Sequence, residues 1–180
     1  LPHTHIQMKV LHYFPTTRLT EGGTVRAAID LCAVIAQRGH DVTWLTCDDF
    51  DTPEEWKNGA PNTPTIQTLG VFEKRGRRLT RTQLQLASSF IKDVDVVHIH
   101  AMWDLSNPQI GKLCQEHRVP WVLSIHGMLD DWSMAQRGIK KQLYLKTAGR
   151  TMIQSPAAFH TTAEEERRQV ARWLKHSNIK

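Results

Sequence analysis

The 180-residue sequence has no apolar run near the ~20 residues that a membrane-spanning helix requires. Cysteine is also scarce: Cys32, Cys47 and Cys114 are widely spaced and form no C-x-x-C pair. Such a set fits neither a disulfide framework nor a zinc ribbon. We therefore expect reduced core thiols in a cytoplasmic protein, and contact with the inner face of the membrane stays open.

The chain is moderately basic, with a formal net charge of +5. This balance suits anionic partners such as nucleic acid, phosphorylated small molecules or an acidic lipid surface. The densest basic run is Lys74–Arg78, and no aromatic residues alternate with it, as a platform for single-stranded nucleic acid would require. We expect a solvated loop there and no nucleic-acid partner. A phosphate contact or a peripheral membrane contact through these basic residues is the alternative.

Short β-prone segments alternate along the chain with segments whose apolar residues recur at helical spacing. The predicted strands are Lys9–Phe14, Asp41–Cys47, Thr65–Leu69, Asp95–His100, Trp121–His126 and Ala157–Thr162. The predicted helices are Thr24–Arg38, Thr80–Ile91, Asn107–His117, Trp132–Gln154 with possible breaks at Gly138 and Gly149, and Ala163–Leu174.

Strands separated by helices imply right-handed crossovers and a parallel sheet that is covered on both faces. The predicted fold is α/β: a Rossmann-like parallel sheet of about six or seven strands in a single domain over residues 1–180. Because the alternation would continue with another strand, we expect this chain to be part of a longer protein.

Several residues match helix boundaries. Thr24 and Asn107, the latter followed by Pro108, suit helix starts, and Gly39 suits a left-handed helix end. The spacing Thr162-x-x-Glu165 is that of a capping box.

In an open parallel sheet, ligands bind beyond the carboxyl ends of the strands. One such loop carries Gly22 and Gly23, where backbone N–H groups at a helix N-terminus can approach an anion. The loop is neither G-x-G-x-x-G nor a P-loop. A ligand contact in this loop and a simple tight turn both fit the two glycines.

His98 and His100 lie two residues apart, so they share one face of a predicted strand. A zinc site needs three or four ligands, and no carboxylate or cysteine follows at matching spacing. We therefore predict no metal and place His100 at the mouth of the pocket.

Polar and aromatic residues cluster in two further strand-end loops. His126 lies at a strand tip beside Gly127, followed by Asp130 and Asp131. Trp103 beside Asp104 offers an apolar plane and a hydroxyl acceptor, a combination that is common in carbohydrate sites. We predict sugar or acceptor contacts at these residues and a catalytic contact at His126; a structural histidine is the alternative.

The stretches KVLHYFP and EGGTVRAAIDLCAVIAQRGHDVTWLT resemble the opening of family 4 (group 1) glycosyltransferases. The similarity continues through DVVHIHAMWD, VPWVLSIHGMLDDWSM and KKQLYLKTAGRTMIQSPAAFHTTAEEE, and the last is similar to a bacterial subgroup that acts in polysaccharide assembly. The resemblance runs from about Lys9 to the end, and its most specific parts are HGMLDDW and the segment His160-Thr161-Thr162-x-x-Glu165.

That family has the two-domain GT-B fold and transfers a sugar in the cleft between the domains, without a metal and usually with retention. The resemblance implies that residues 1–180 are the N-terminal, acceptor-side domain, and that a C-terminal donor domain with a paired-glutamate motif is absent from this sequence. It implies that Gly22 and Gly23 face the donor phosphates or the acceptor, and that His126 contacts the transferred sugar.

We therefore expect the full-length enzyme to move a sugar from a nucleotide-sugar donor to a glycan or lipid-linked acceptor, without a cofactor. Residues 1–180 alone should be inactive. Two alternatives stay open. One is a stand-alone glycan- or nucleotide-binding module, and the other is a nicotinamide-dependent oxidoreductase whose Asp48 or Asp49 would bind a ribose.

Overall fold

The computed structural model of the protein describes residues 6–73, 76–136 and 138–173. Six strands form one parallel sheet in the order β3-β2-β1-β4-β5-β6. The strands are β1 (Lys9–Tyr13), β2 (Asp41–Thr46), β3 (Thr65–Thr68), β4 (Val96–His100), β5 (Trp121–Ser124) and β6 (Ala158–His160). The predicted α/β Rossmann-like fold, with its six strands, is confirmed.

Helices connect the strands because parallel neighbours need crossover connections. They are α1 (Gly23–Gln37), α2 (Glu54–Lys57), α3 (Arg81–Ile91), α4 (Ser106–His117), α5 (Asp131–Ala135), α6 (Gly138–Lys146), α7 (Arg150–Gln154) and α8 (Glu164–Trp173). The sequence patterns did not predict α2 or a 3-10 turn at Leu19–Glu21. The predicted segment Trp132–Gln154 is three helices, and Gly149 separates the last two.

Each face of the sheet has its own apolar cluster, because side chains alternate between the faces along a strand. Leu11 and Tyr13 of β1 pack in one cluster with residues of α3, α4 and α7. Trp44 of β2 packs in the other with Val25, Ala28, Ile29 and Cys32 of α1. Helices therefore cover both faces, as predicted.

The predicted helix boundaries are partly wrong. Gly39 ends α1 with a φ of 89°, as expected, but α1 begins at Gly23, so Thr24 lies in its first turn rather than at the cap. Helix α4 begins at Ser106, one residue before Asn107. The Asn107 amide instead donates to the carbonyl oxygens of His100 and Ala101, at 3.3 and 2.8 Å, and so supports the end of β4.

Among the described residues, no helix has the length and apolar character needed to cross a membrane. The three cysteines are free and buried, as expected. Of the basic run, Lys74 and Arg75 lie outside the described residues.

Candidate functional site

The sheet reverses its direction of growth between β1 and β4. From β1 the chain builds β2 and β3 on one side, and it then returns to place β4 and the later strands on the other. At such a switch point the two neighbouring loops diverge and leave a crevice at the carboxyl ends of the strands. The loops after β1, β4 and β5 are therefore the ones that can hold a ligand.

The loop after β1 is fixed by the Asp48 carboxylate at the end of β2. One oxygen accepts a hydrogen bond from the Thr16 hydroxyl at 2.7 Å. The other accepts from the backbone N–H and the hydroxyl of Thr17, both at 2.9 Å. Thr16 and Thr17 are buried, so this loop reaches the crevice in a defined conformation.

Gly22 and Gly23 lie at the exposed N-terminus of α1. Gly22 has a φ of 115°, which favours glycine, and a Cβ built on either glycine meets nothing within 4 Å. Within the part of the chain that is described, the N–H groups of Gly23 and Thr24 have no hydrogen-bond partner and no side chain caps the helix. A helix end of this kind favours an anion.

Arg77 links this glycine loop to the loop after β4. Its guanidinium group pairs with Glu21 and lies 3.6 Å from a carboxylate oxygen of Asp104. The hydrogen bond from Arg77 to Glu21 raises the pKa of Arg77. Burial raises the pKa of Asp104, and Arg77 opposes that rise. Asp104 therefore already has a protein partner at the position predicted to bind a sugar.

Trp103 is also engaged by the protein. The half-buried ring packs edge-on with Tyr144 at 5.5 Å between centroids, and the Lys141 ammonium nitrogen lies 4.9 Å from its centroid. A sugar that stacked on Trp103 would have to share the ring with these groups.

Histidines line the face of the sheet that α1 covers. In the parallel register, His12 of β1 is paired with His98 of β4, and His100 is paired with Ser124 of β5, which is paired with His160 of β6. Because the pairs lie at matching positions, all of these side chains point to the same face. The sequence patterns singled out His98 and His100 but missed His12, and they gave His160 no role in the site.

Three of the imidazole rings form a hydrogen-bonded series. Nδ1 of His12 lies 2.9 Å from Nε2 of His100, and Nδ1 of His100 lies 3.3 Å from Nε2 of His126. Separately, the Ser124 hydroxyl lies 2.7 Å from both His98 Nε2 and His160 Nδ1. The cluster is therefore two connected polar chains rather than a set of isolated rings.

The expectation that His100 lies at the mouth of the pocket is wrong. Its side chain is fully buried beneath the partly exposed His126, so it cannot touch a ligand in the crevice. Burial lowers the pKa of His100 well below its usual value and the pKa of His12 to about 3. The inner rings of the series are therefore neutral.

The argument that His98 and His100 lack a third metal ligand is also wrong, because His12 brings a nitrogen within 4.8 Å of theirs. The rings of His98 and His100 are stacked, however, with centroids 4.3 Å apart and planes 22° apart. Stacked rings direct their in-plane lone pairs in parallel rather than at a common point. A metal would therefore require the rings to turn and the His12–His100 hydrogen bond to break.

His126 and Gly127 form a sharp turn after β5, with φ angles of 54° and 72°. The buried Glu166 of α8 holds this turn: one carboxylate oxygen accepts from the Gly127 N–H at 2.6 Å. The other accepts from the backbone N–H and the hydroxyl of Thr162, at 2.6 and 2.9 Å. A left-handed histidine fixed by its surroundings is typical of functional sites.

The predicted capping box between Thr162 and Glu165 is wrong. The carboxylate that returns to Thr162 comes from Glu166, four residues on, whereas Glu165 is exposed. The signal was present in the run of three glutamates after Thr161 and Thr162, but spacing alone did not show which one turns inward. Burial lowers the pKa of His126, and the negative charge of Glu166 opposes that effect.

The acidic residues after Gly127 have mainly structural partners. Asp130 accepts a hydrogen bond from the backbone N–H of Ser133 and so caps α5. Asp131 forms an exposed ion pair with Arg172, with 3.0 Å between nitrogen and oxygen. Trp132, which follows them, is 74% exposed.

A family model described as a glycosyl transferase 4-like domain matches residues 22–177. The chain belongs to this family. It is therefore a glycosyltransferase domain with the Rossmann-like fold that the sequence resemblance implied, and the match includes both the glycine loop and His126.

Solved structures similar to this glycosyl transferase 4-like domain show the same fold. Anabaena HepE, solved with UDP-glucose, is 11% identical with a TM-score of 0.66, over 96% of this chain and 43% of HepE. A UDP-N-acetylglucosamine 2-epimerase from Rickettsia bellii is 13% identical with a TM-score of 0.53, over 93% of this chain and 42% of the epimerase. A Veillonella parvula short-chain dehydrogenase/reductase, solved with NADP, is 13% identical with a TM-score of 0.55, over 87% of this chain and 68% of the reductase.

The glycosyl transferase 4-like domain thus spans less than half the length of HepE and of the epimerase. No curated protein matches it at a significant level. The family match does not favour the oxidoreductase alternative. Of the two acids that it would use, Asp48 already accepts hydrogen bonds from the first loop at both oxygens.

Proposed function

We propose that this domain is the acceptor-side half of a two-domain glycosyltransferase that moves a sugar from a nucleotide-sugar donor to a glycan or lipid-linked acceptor in polysaccharide assembly. The observation that carries the proposal is His126, partly exposed and left-handed, held over the crevice by Glu166 and His100. The chain covers 43% of HepE, which was solved with UDP-glucose, and this supports a second domain that binds the donor.

The donor phosphates would bind at the N-terminus of α1. The N–H groups of Gly23 and Thr24, which have no partner in the described part of the chain, can donate to phosphate oxygens, and the helix dipole favours the negative charge of the phosphates. Because Arg77 ties Glu21 to Asp104, the acidic side chain next to the glycines is neutralised rather than directed at the phosphates.

In the transfer, the bond between the anomeric carbon and the phosphate oxygen breaks, and the nucleotide leaves with the electron pair. The acceptor hydroxyl oxygen forms the new bond and passes its proton to a phosphate oxygen of the departing nucleotide. His126 would contact the transferred sugar, and a hydrogen bond that it donates to a leaving phosphate oxygen would strengthen as negative charge develops there, which lowers the barrier. We expect retention of configuration and no metal.

The acceptor would lie along the loops after β4 and β5. Gly127 lets it approach the backbone, and the exposed ring of Trp132 can contact an apolar or sugar surface. Asp130 and Asp131 would orient their remaining lone pairs towards hydroxyls. Contact with an anionic membrane surface would involve Arg78 and Arg81 rather than Arg77, because Arg77 is paired inside the site.

The test is sugar transfer by the full-length protein, measured with a panel of nucleotide sugars. We expect His126→Ala to lower turnover about 10²- to 10³-fold, the loss typical of one contact made in the transition state. His117→Ala, at the far end of α4, is the matched control and should keep full turnover. Turnover of His126→Ala within about threefold of wild type, or binding of donor with no transfer by wild type, would contradict the proposal.

A further inference from the structure

The series His12, His100 and His126 restricts where its protons can lie. A neutral imidazole carries one N–H and one lone pair, so a ring that accepts at one nitrogen must donate at the other. With two contacts in series, only two fully bonded neutral arrangements exist. The N–H groups point either all towards His126 or all towards His12.

The inner end of the series decides between these arrangements. Nε2 of His12 is buried and has no hydrogen-bond partner among the described residues. If the N–H groups pointed inward, His12 would leave a buried N–H without an acceptor there. Orphaned buried N–H groups are rarer than under-satisfied acceptors, so the lone pair belongs on this nitrogen. The protons then lie on Nδ1 of His12 and Nδ1 of His100.

Among the residues that the structure describes, no neighbouring group forces the opposite arrangement. The carboxylate of Glu166 uses both oxygens on Gly127 and Thr162, so it does not draw a proton to Nε2 of His126. His98 and His160 share the Ser124 hydroxyl and make no nitrogen contact with the series. Burial keeps the pKa of each of the three rings in the series below its usual value.

We propose that His12 and His100 are positioning residues that fix His126 in the neutral tautomer with its proton on Nδ1. Within the described residues, that Nδ1 has no hydrogen-bond partner. His126 therefore presents a donor, and not a base, to an oxygen of the ligand in the crevice. The role in transfer rests on the proposed function, whereas the tautomer itself does not.

The direct test is the ¹⁵N spectrum of the imidazole nitrogens of the wild-type chain at pH 7.5, with His126→Gln used to identify the His126 signals. We expect a pyrrole-type Nδ1 and a pyridine-type Nε2 for His126. A protonated Nε2, or shifts averaged between the two tautomers, would overturn the proposal.

Two matched variants test the cause. His12→Phe removes the first donor of the series, so the His126 signals should move towards the Nε2-protonated tautomer that free histidine prefers. His98→Phe removes a neighbouring ring, slightly more exposed than His12, that stacks on His100 without bonding to the series, so the His126 signals should not move. A shift in both variants, or in His98→Phe only, would overturn the positioning role of His12. If His12→Phe fails to fold, the wild-type spectrum decides.

The outcome is separable from that of the proposed function. Full turnover in His126→Ala would remove the catalytic assignment and leave the tautomer standing. An Nε2-protonated His126 together with low turnover in His126→Ala would overturn the tautomer and leave the catalytic assignment standing.

Discussion

Acidification should unfold this domain through its buried histidines. Burial is the main cause of the low pKa of His12, His98 and His100 in the folded protein. In the unfolded chain these rings return to about 6.5. The unfolded state therefore binds more protons below that pH. The contribution of the neutral rings to the free energy of unfolding is fully present above pH 6.5. It is lost as the pH falls towards the folded pKa, which is about 3 for His12.

The magnitude follows from the proton count. One pH unit below 6.5, each unfolded histidine is about 90% protonated, which favours unfolding about tenfold. Three such rings together lower the free energy of unfolding by about 4 kcal/mol between pH 8 and pH 5.5. This is a large share of the ~5–15 kcal/mol that typical domains possess.

The assay is urea unfolding at a series of pH values from 5.5 to 8, where few carboxylates titrate. The slope of the unfolding free energy against pH should reach at least three protons at the acid end, because the lowered pKa of His126 adds to the contribution of the three buried rings. His12→Phe should reduce this slope by about one proton. Leu11→Ala, on the opposite face of β1, is the control: it should lower stability by ~2–5 kcal/mol at every pH and leave the slope unchanged.

A flat profile between pH 5.5 and 8 would refute the reasoning, because it would mean that the folded protein binds the same protons as the unfolded chain. A slope that is unchanged in His12→Phe would exclude His12 as a source.

Three further changes test other parts of the site. Asp48→Asn should remove ~1–3 kcal/mol of stability and loosen the first loop, because an amide accepts at only one oxygen; thermal unfolding checks this against exposed Asp49→Asn. Glu166→Gln should cost a similar amount and lower turnover in the full-length enzyme, whereas exposed Glu165→Gln should do neither. Gly22→Ala strains a φ of 115° and should weaken nucleotide-sugar binding to this domain, itself only about millimolar, in a chemical-shift titration.

The order of strands and helices could be predicted from sequence because each element has a local signal. Short β-prone segments between helical segments predicted all six strands. The helical spacing of residues such as Val25 and Cys32 predicted the buried face of α1. Boundaries were less accurate where tertiary contacts decide them. The predicted strand to His126 ends at Ser124, because the following turn adopts left-handed geometry under the hold of Glu166.

The site was only half predictable, because the missing partners are distant in sequence. His126 and Gly127 were singled out from their place at a strand tip, and their role in the site stays a prediction. His12, which lies 88 residues from His100, showed no local pattern and became visible only through the register of β1 with β4. Arg77 looked like one member of a solvated basic run, yet it pairs with Glu21 and Asp104.

The burial of His12 and His100 has two consequences that cannot be separated: the control of the His126 tautomer and the sensitivity of the fold to acid. Exclusion from water keeps His12 and His100 neutral, and only neutral rings in series can fix the tautomer of His126. The same exclusion makes the fold sensitive to acid. Apolar residues in place of His12 and His100 should therefore yield a domain that is more stable at pH 5.5 and less able to hold His126 as a donor. A variant that gained acid stability and kept the Nδ1-protonated His126 would show that the turn held by Glu166 is sufficient by itself.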